Sequence, residues 1–355
     1  MNNCQELQLD RLGEYLDRQA YIDKIPLKGT FELTARCNFN CKMCYVHLSE
    51  QQIQNIGCEL TNEEWLHIAR QAKDAGMLYL TLTGGEVFSR PGFKELYLEL
   101  SKMGFLIQIL SNGYLIDEKV MEWLGEVQPY ALRFTLYGAS NETYKRVCGI
   151  EDGFDRVSHA INLVKKAGIP LYLVGTIIKE NVHDLREMRK FAHEKNMEFK
   201  ASPGALKAVR GATQRAEDHR LDILTGHEER IEQMIISGEE CLHGHIENPL
   251  DVCGSYRKAF WVTWDGNLQL CSFVSQPTIA LTNEQEFYEA WESLLEQLKQ
   301  IRTPDKCKSC LYEGFCSRCP GVLAAECGDC SSVNDAFCDN AKRLYEAFRE
   351  RKDSK

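Results

Sequence analysis

The chain has 355 residues, 44% of them hydrophobic and 26% charged, with a formal net charge of −10. That length exceeds one ordinary core, and the composition excludes extended disorder. The acidic balance excludes a broad nucleic-acid footprint or an anionic-membrane face; with no signal-peptide pattern and no apolar run of roughly 18 residues, a cytoplasmic protein acting on small molecules or peptides is expected.

Residues 1–27 read as an N-terminal extension of mixed charge. From residue 28 to about 200, short apolar runs alternate with amphipathic ones. "GTFELTA" predicts a strand and "TNEEWLHIARQAKDAG" a helix, capped at Thr61 with Glu64 three residues on and stopped at Gly76. "MLYLTLT" then leads to "FKELYLELSKMG", "FLIQILS" to "DEKVMEWLG", and "ALRFTLY" to "ETYKRV" and "GFDRVSHAINLVKKAG". "PLYLVGTII" leads to "NVHDLREMRKFAHEKN", and "MEFKAS" closes the series. Six strands, each followed by a helix or loop, predict parallel pairing with right-handed crossovers, an α/β fold of the partial (β/α)6, TIM-like kind.

In such folds the chemistry gathers where strands end and βα loops begin. "TARCNFNCKMCYV" follows the first strand, "TGGE" the second, "SNG" the third and "TLYG" the fourth. The barrel is expected over residues 28–225, a helical connector containing "GHEERIEQMIISGEE" over 226–250, and a small cysteine-rich domain over 251–355. In that last region "AFWVTWDGNLQLCSF" reads as a hairpin turning at Asp265 and Gly266, helical periodicity weakens, and metal is expected to supply part of the stability.

Sixteen cysteines in a reducing compartment point to metal binding rather than disulfides. Cys4, Cys58, Cys148 and Cys241 stand apart and read as ordinary core or surface residues. Cys37, Cys41 and Cys44 offer three ligands where a closed zinc site needs four, and His47 is the only nearby substitute. A cubane 4Fe-4S cluster on three cysteines has one iron without a protein ligand, free to bind a substrate or cofactor. The second group is Cys253, Cys271, Cys307, Cys310, Cys316, Cys319, Cys327, Cys330 and Cys338, for which two zinc ribbons are the plain alternative.

"CNFNCKMCYV", placed after the first strand, resembles the C-x3-C-x2-C signature of the radical S-adenosylmethionine enzymes. The resemblance implies that Cys37, Cys41 and Cys44 hold a 4Fe-4S cluster whose open iron is chelated by S-adenosylmethionine, cleaved reductively to a 5′-deoxyadenosyl radical. "TGGEVF" resembles the family's Gly-Gly-Glu motif, so Gly84 and Gly85 are expected to let backbone carbonyls approach the methionyl ammonium and Glu86 to complement its charge. Ser111 and Asn112 become candidates for the ribose or carboxylate, and Thr135 and Thr176 for the pocket wall. Two positions depart from the family pattern: Met43 stands where an aromatic residue usually precedes the third cysteine, making any adenine contact apolar, and Val87 follows Glu86 where proline is usual.

The second cysteine group resembles the family's C-terminal SPASM extension, which binds auxiliary 4Fe-4S clusters. The resemblance assigns Cys307, Cys310, Cys316 and Cys338 to one cluster and Cys253, Cys271 and Cys319 to the other, three clusters in all. The gap from Cys316 to Cys319 is shorter than usual by one residue, Cys327 and Cys330 are extra, and the second cluster lacks an evident fourth ligand. Cys241, Cys327 and Cys330 are candidates, or the iron is open to a substrate thiolate.

The expected activity is hydrogen abstraction from a ribosomally made peptide, leaving a thioether or C–C crosslink or an oxidised residue. A small-molecule dehydrogenase or epimerase of the same superfamily is the alternative, and a zinc-bound scaffold that leaves S-adenosylmethionine intact is a third reading. Only 27 residues precede the barrel, so a separate leader-recognition protein or a substrate that needs no leader recognition is expected, with an external electron donor such as flavodoxin or ferredoxin. No acid or base is assigned; Cys148 and Tyr137, near the end of the fourth strand, are candidate hydrogen donors. Substrate, bond formed and oligomeric state are left open by the sequence.

Overall fold

The computed structural model describes residues 2–237, 246–281, 286–316 and 319–353. Cys241 and the end of the connector lie outside the described residues, as does the side chain of Cys4. Among the described residues no helix is long and apolar enough to cross a membrane.

Six strands, β1 (Lys28–Glu32), β2 (Tyr79–Thr83), β3 (Leu106–Ser111), β4 (Ala131–Thr135), β5 (Leu171–Thr176) and β6 (Phe199–Ser202), pair in parallel in chain order. Helix α1 (Asn2–Asp23) precedes the sheet, with α2 (Glu50–Ile56) and α3 (Asn62–Asp74) between β1 and β2. The crossovers continue with α4 (Phe93–Ser101), α5 (Glu118–Glu126), α6 (Asn141–Cys148), α7 (Gly153–Lys166) and α8 (Leu185–Glu194). This is the expected partial barrel.

Helix α3 begins where its sequence says it should. The Thr61 side chain accepts from the backbone N–H of Glu64, whose carboxylate accepts in return from the Thr61 backbone at 2.7 Å. Its apolar face buries Trp65, Ile68, Ala69 and Ala72, and Trp65 tilts against Phe31 of β1 with ring centroids 4.9 Å apart. Full burial of one such side chain is worth about 1.5–3 kcal/mol, so these contacts rather than helix propensity hold the layer on the sheet.

The sheet does not end at β1. Strand β7 (Ala259–Val262) pairs with β1 in parallel, Lys28 opposite Ala259 and Phe31 opposite Val262. Strands β8 (Asn267–Gln269) and β9 (Ile279–Ala280) follow antiparallel, giving a nine-stranded sheet of order β6-β5-β4-β3-β2-β1-β7-β8-β9. The β7–β8 hairpin turns at Asp265 and Gly266 as expected, with Gly266 at φ +84, where a side chain would be strained. The boundary expected near residue 251 is therefore bridged by backbone hydrogen bonds.

Short helix α9 (Ile223–Gly226) spans the expected end of the barrel segment and α10 (Glu228–Ser237) lies in the connector. Beyond the hairpin the expectation of weak helical periodicity is overturned, because α11 (Phe287–Leu298), α12 (Pro320–Cys327) and α13 (Asp335–Asp353) occupy much of the C-terminal region. In α11, Phe287, Ala290, Trp291, Leu294 and Leu298 recur at helical spacing and are buried, and the Trp291 indole N–H donates to the Lys24 carbonyl at 2.7 Å. A core of packed helices, and not metal alone, supports this region.

Candidate metal centres

The cysteine loop leaves β1 and is fixed from three sides. Its Asn40 and Lys42 N–H groups donate to the carbonyls of Cys148 and Val147 at the end of α6, at 3.2 and 3.0 Å. Phe39, 2% exposed, is boxed edge-on by the rings of Tyr114, Tyr137 and Tyr144. On the third side, the Gly85 and Glu86 N–H groups donate to the carbonyls of Thr34 and Arg36 at 2.8 and 2.9 Å.

That last contact explains the two glycines. A Cβ on Gly85 would stand 2.2 Å from the Arg36 carbonyl oxygen and 2.9 Å from the Cys37 Cβ, and one on Gly84 would stand 2.6 Å from the Thr34 oxygen. No side chain fits between the two loops. The carboxylate of Glu86, 1% exposed, accepts from the Asn112 backbone N–H at 2.7 Å, the Phe88 N–H at 3.1 Å and the Ser111 hydroxyl at 2.9 Å. Burial still pushes its pKa up to about 7. Both oxygens are thus engaged in tying the end of β2 to the end of β3, so Glu86 positions the loops on which a ligand would rest. The Asn112 side-chain amide reaches back to Asn38 Oδ1 at 2.8 Å, inside the cysteine loop.

The three sulfurs are prepared to carry negative charge. Cys37 accepts from the Phe39 N–H at 3.4 Å, and Cys44 accepts backbone hydrogen bonds from Val46 and His47. Yet burial and repulsion from neighbouring charges raise Cys37 and, to about 11, Cys44, while Cys41 is raised first by its hydrogen bond with Cys148 and then by burial. Buried thiols that repel one another and already receive N–H donors fit a cationic cluster, which takes them as thiolates and removes both penalties. Among the described residues no three His, Cys, Asp or Glu side chains are drawn together tightly enough to grip a single ion.

The structure brings Gly84, Gly85, Glu86, Ser111 and Asn112 to this loop. Thr135 and Thr176 stand on β4 and β5, Thr135 opposite Val174 and Thr176 opposite Ser202, and the Thr176 carbonyl accepts from Asn181 at 3.1 Å. Met43 is 6% exposed and belongs to the apolar core. Cys148 is 1% exposed and hydrogen-bonds the Cys41 sulfur, as does Tyr137. Sealed behind Cys41, Cys148 has no open side for a substrate radical. Cys148→Ala is expected to keep its iron and its turnover and to lose ~1 kcal/mol of stability; iron loss on anaerobic assay would place Cys148 among the ligands instead.

The second group divides in two. Cys307 and Cys316 line one small cavity, and Cys338 hydrogen-bonds Lys306, beside Cys307. Cys271 faces Cys319 and Cys253, and accepts from the backbone N–H groups of Phe273 and Val274. Sequence reasoning missed the join between this group and the first: Tyr45, next to Cys44, stacks on Phe273, two residues from Cys271, with ring centroids 4.4 Å apart. A cavity of about 580 Å³ opens beside Phe273, between the end of β6 at Ser202 and helices α12 and α13.

Comparison with known proteins gives this geometry a family. Residues 31–192 match the model of the radical SAM superfamily. A PqqA peptide cyclase of Granulibacter bethesdensis is 30% identical over 167 residues, 47% of this chain and 44% of that protein, so the chain spans less than half of that relative. An AdoMet-dependent heme synthase of Methanosarcina barkeri is 25% identical over 84% of this chain and 92% of its own. Among solved structures, Streptococcus suis SuiB bound to its precursor peptide SuiA superimposes with a TM-score of 0.65 at 18% identity, over 95% of this chain and 81% of that one, which carries the fold alone. With its three-cysteine loop locked against the Gly-Gly-Glu turn, the segment 31–192 is a radical SAM domain.

Proposed function

We propose that this chain is a radical S-adenosylmethionine enzyme that modifies a ribosomally made peptide, with a C-terminal SPASM domain over residues 251–355. The observation that carries the reading is the contact between the Gly84–Glu86 turn and the cysteine loop, which sets the open side of a three-thiolate site beside a strand end. Cys37, Cys41 and Cys44 would hold the 4Fe-4S cluster, with the backbone of Gly84 and Gly85 and the amide of Asn112 facing S-adenosylmethionine. When bound, that pair supplies a 5′-deoxyadenosyl radical able to abstract hydrogen from carbon. Cys307, Cys310, Cys316 and Cys338 would hold one auxiliary cluster, and Cys253, Cys271 and Cys319 belong to the other.

The chain's own part is to orient and seal. Asn112 and Ser111 are fixed by Glu86, Phe39 is boxed by tyrosines, and the cavity beside Phe273 offers volume for peptide side chains next to the second cysteine group. The peptide substrate is supported by what the PqqA peptide cyclase and peptide-bound SuiB are named for. A separate leader-recognition protein, a flavodoxin or ferredoxin donor and a cytoplasmic location complete the proposal. The near full-length match to a heme synthase favours keeping small-molecule oxidation as the second reading.

Iron and labile sulfide, measured on anaerobic protein, should give about twelve irons per chain and about eight in the Cys37, Cys41 and Cys44 triple alanine variant, at four irons per cubane. Zinc in place of iron would remove the enzymatic reading. A rise in 5′-deoxyadenosine on adding candidate precursor peptides supports the first reading, and a response only to small-molecule substrates supports the second.

A further inference from the structure

One proposed cluster is a ligand short in the sequence, and the fold buries one more thiol near the three it has. Helix α12 is entered at Cys319, and a Cβ on Gly321 in its first turn would stand 3.3 Å from the Cys271 sulfur and 3.7 Å from the Cys319 sulfur. Those two sulfurs therefore flank the same glycine. The helix ends at Gly328, φ +97, and Asp329 accepts from the Ser331 N–H at 2.7 Å and the Ser332 hydroxyl at 2.9 Å, so the chain doubles back at once. This turn buries Cys330 to 3% exposure in the main core, the same core against which Cys253, Cys271 and Ala324 pack.

We propose that Cys330 is the fourth thiolate of the cluster held by Cys253, Cys271 and Cys319, leaving that cluster without an open iron. The assignment rests on the auxiliary-cluster reading above. Cys330 lies within electrostatic reach of Cys271, Cys319 and Cys253, the three thiols it would join. The Cys327 sulfur accepts from the Asn334 side-chain amide at 3.5 Å. A cluster closed by four thiolates exchanges electrons with a substrate radical but has no site for a substrate thiolate. The geometry thus favours peptide oxidation or C–C crosslinking by outer-sphere electron transfer over thioether formation on iron.

The test uses the full chain in the Cys37, Cys41 and Cys44 triple alanine background, which removes the radical cluster. Dithionite-reduced EPR spectra are recorded with and without cyanide, beside iron content, for this parent and for Cys330→Ala, Cys330→Ser, Cys327→Ala and Cys241→Ala. The expected result is a cyanide-insensitive parent with about eight irons, four per cubane. Cys330→Ala then becomes cyanide-sensitive or loses about half its iron, Cys330→Ser keeps its iron with an altered spectrum, and the other two match the parent. A Cys330→Ala spectrum and iron content identical to the parent would overturn the assignment, as would cyanide sensitivity appearing only in Cys241→Ala. A parent without iron would instead sink the auxiliary-cluster reading and take this inference with it.

Discussion

Gly85→Ala should abolish 5′-deoxyadenosine formation and strip about four irons from the protein, while the proposed auxiliary clusters would keep theirs, since one cubane carries four. The added methyl would enter a gap where the Arg36 carbonyl carbon and oxygen lie at 2.6 and 2.2 Å. These are backbone atoms of the cysteine loop, so relief requires moving the loop itself rather than a flexible side chain. Overpacking of this kind costs about 1–3 kcal/mol, and here the displacement falls on Cys37 directly. Anaerobic iron analysis with a thermal melt checks both parts. A variant that melts lower but keeps its iron and still cleaves S-adenosylmethionine would show that the tight contact is only structural.

The largest stability loss is expected at the inner end of β1. Glu32, 3% exposed, pairs with Arg210 Nη1 at 2.7 Å and accepts from the Trp261 indole N–H of β7 at 2.9 Å. Removing one partner of a buried pair leaves an uncompensated charge, typically costing about 3–5 kcal/mol. Arg210→Ala should lower stability by about that amount in urea unfolding, and Arg210→Met with Glu32→Gln should recover most of it, because the charge left behind is then gone. If the double variant is no more stable than the single one, packing of the arginine stem rather than its charge is what matters.

The alternation of "MLYLTLT" with "FKELYLELSKMG" and its successors carried the six barrel strands and their helices, because period and capping are local signals. Thr61 with Glu64 is a case in which two residues three apart declare a helix start, and the structure forms that reciprocal cap. Ser49 with Gln52 makes the same motif for α2 and went unread, hidden in the cysteine loop's descent from β1. In the C-terminal region the apolar residues of α11 recur at helical spacing and are legible in the sequence despite the surrounding cysteines. The pairing of β7 with β1 was not, since it joins residues far apart in the chain with no local mark of their meeting.

Among site residues, spacing identified the cysteine loop and its neighbouring turns, because each of these motifs is contiguous. Glu86 was legible as important but not in its role, since the partners that occupy its oxygens come from the end of β3 and its own turn. The Tyr45–Phe273 stack, the Cys41–Cys148 contact and the place of Cys330 depend on tertiary approach, and no spacing rule encodes them.

The hydrogen-bonded seam between β7 and β1 also limits how this molecule can be divided. Cutting the chain near residue 250 would strip a partner from β1 and leave a row of bare backbone donors and acceptors, with Phe31 and Val262 parted at their shared register position. An isolated barrel half would carry an adhesive edge alongside the very loop that needs strict positioning. The two halves are thus better regarded as one sheet worked at both ends, in which the spacing between cysteine loops is set by strand register and not by the length of a tether.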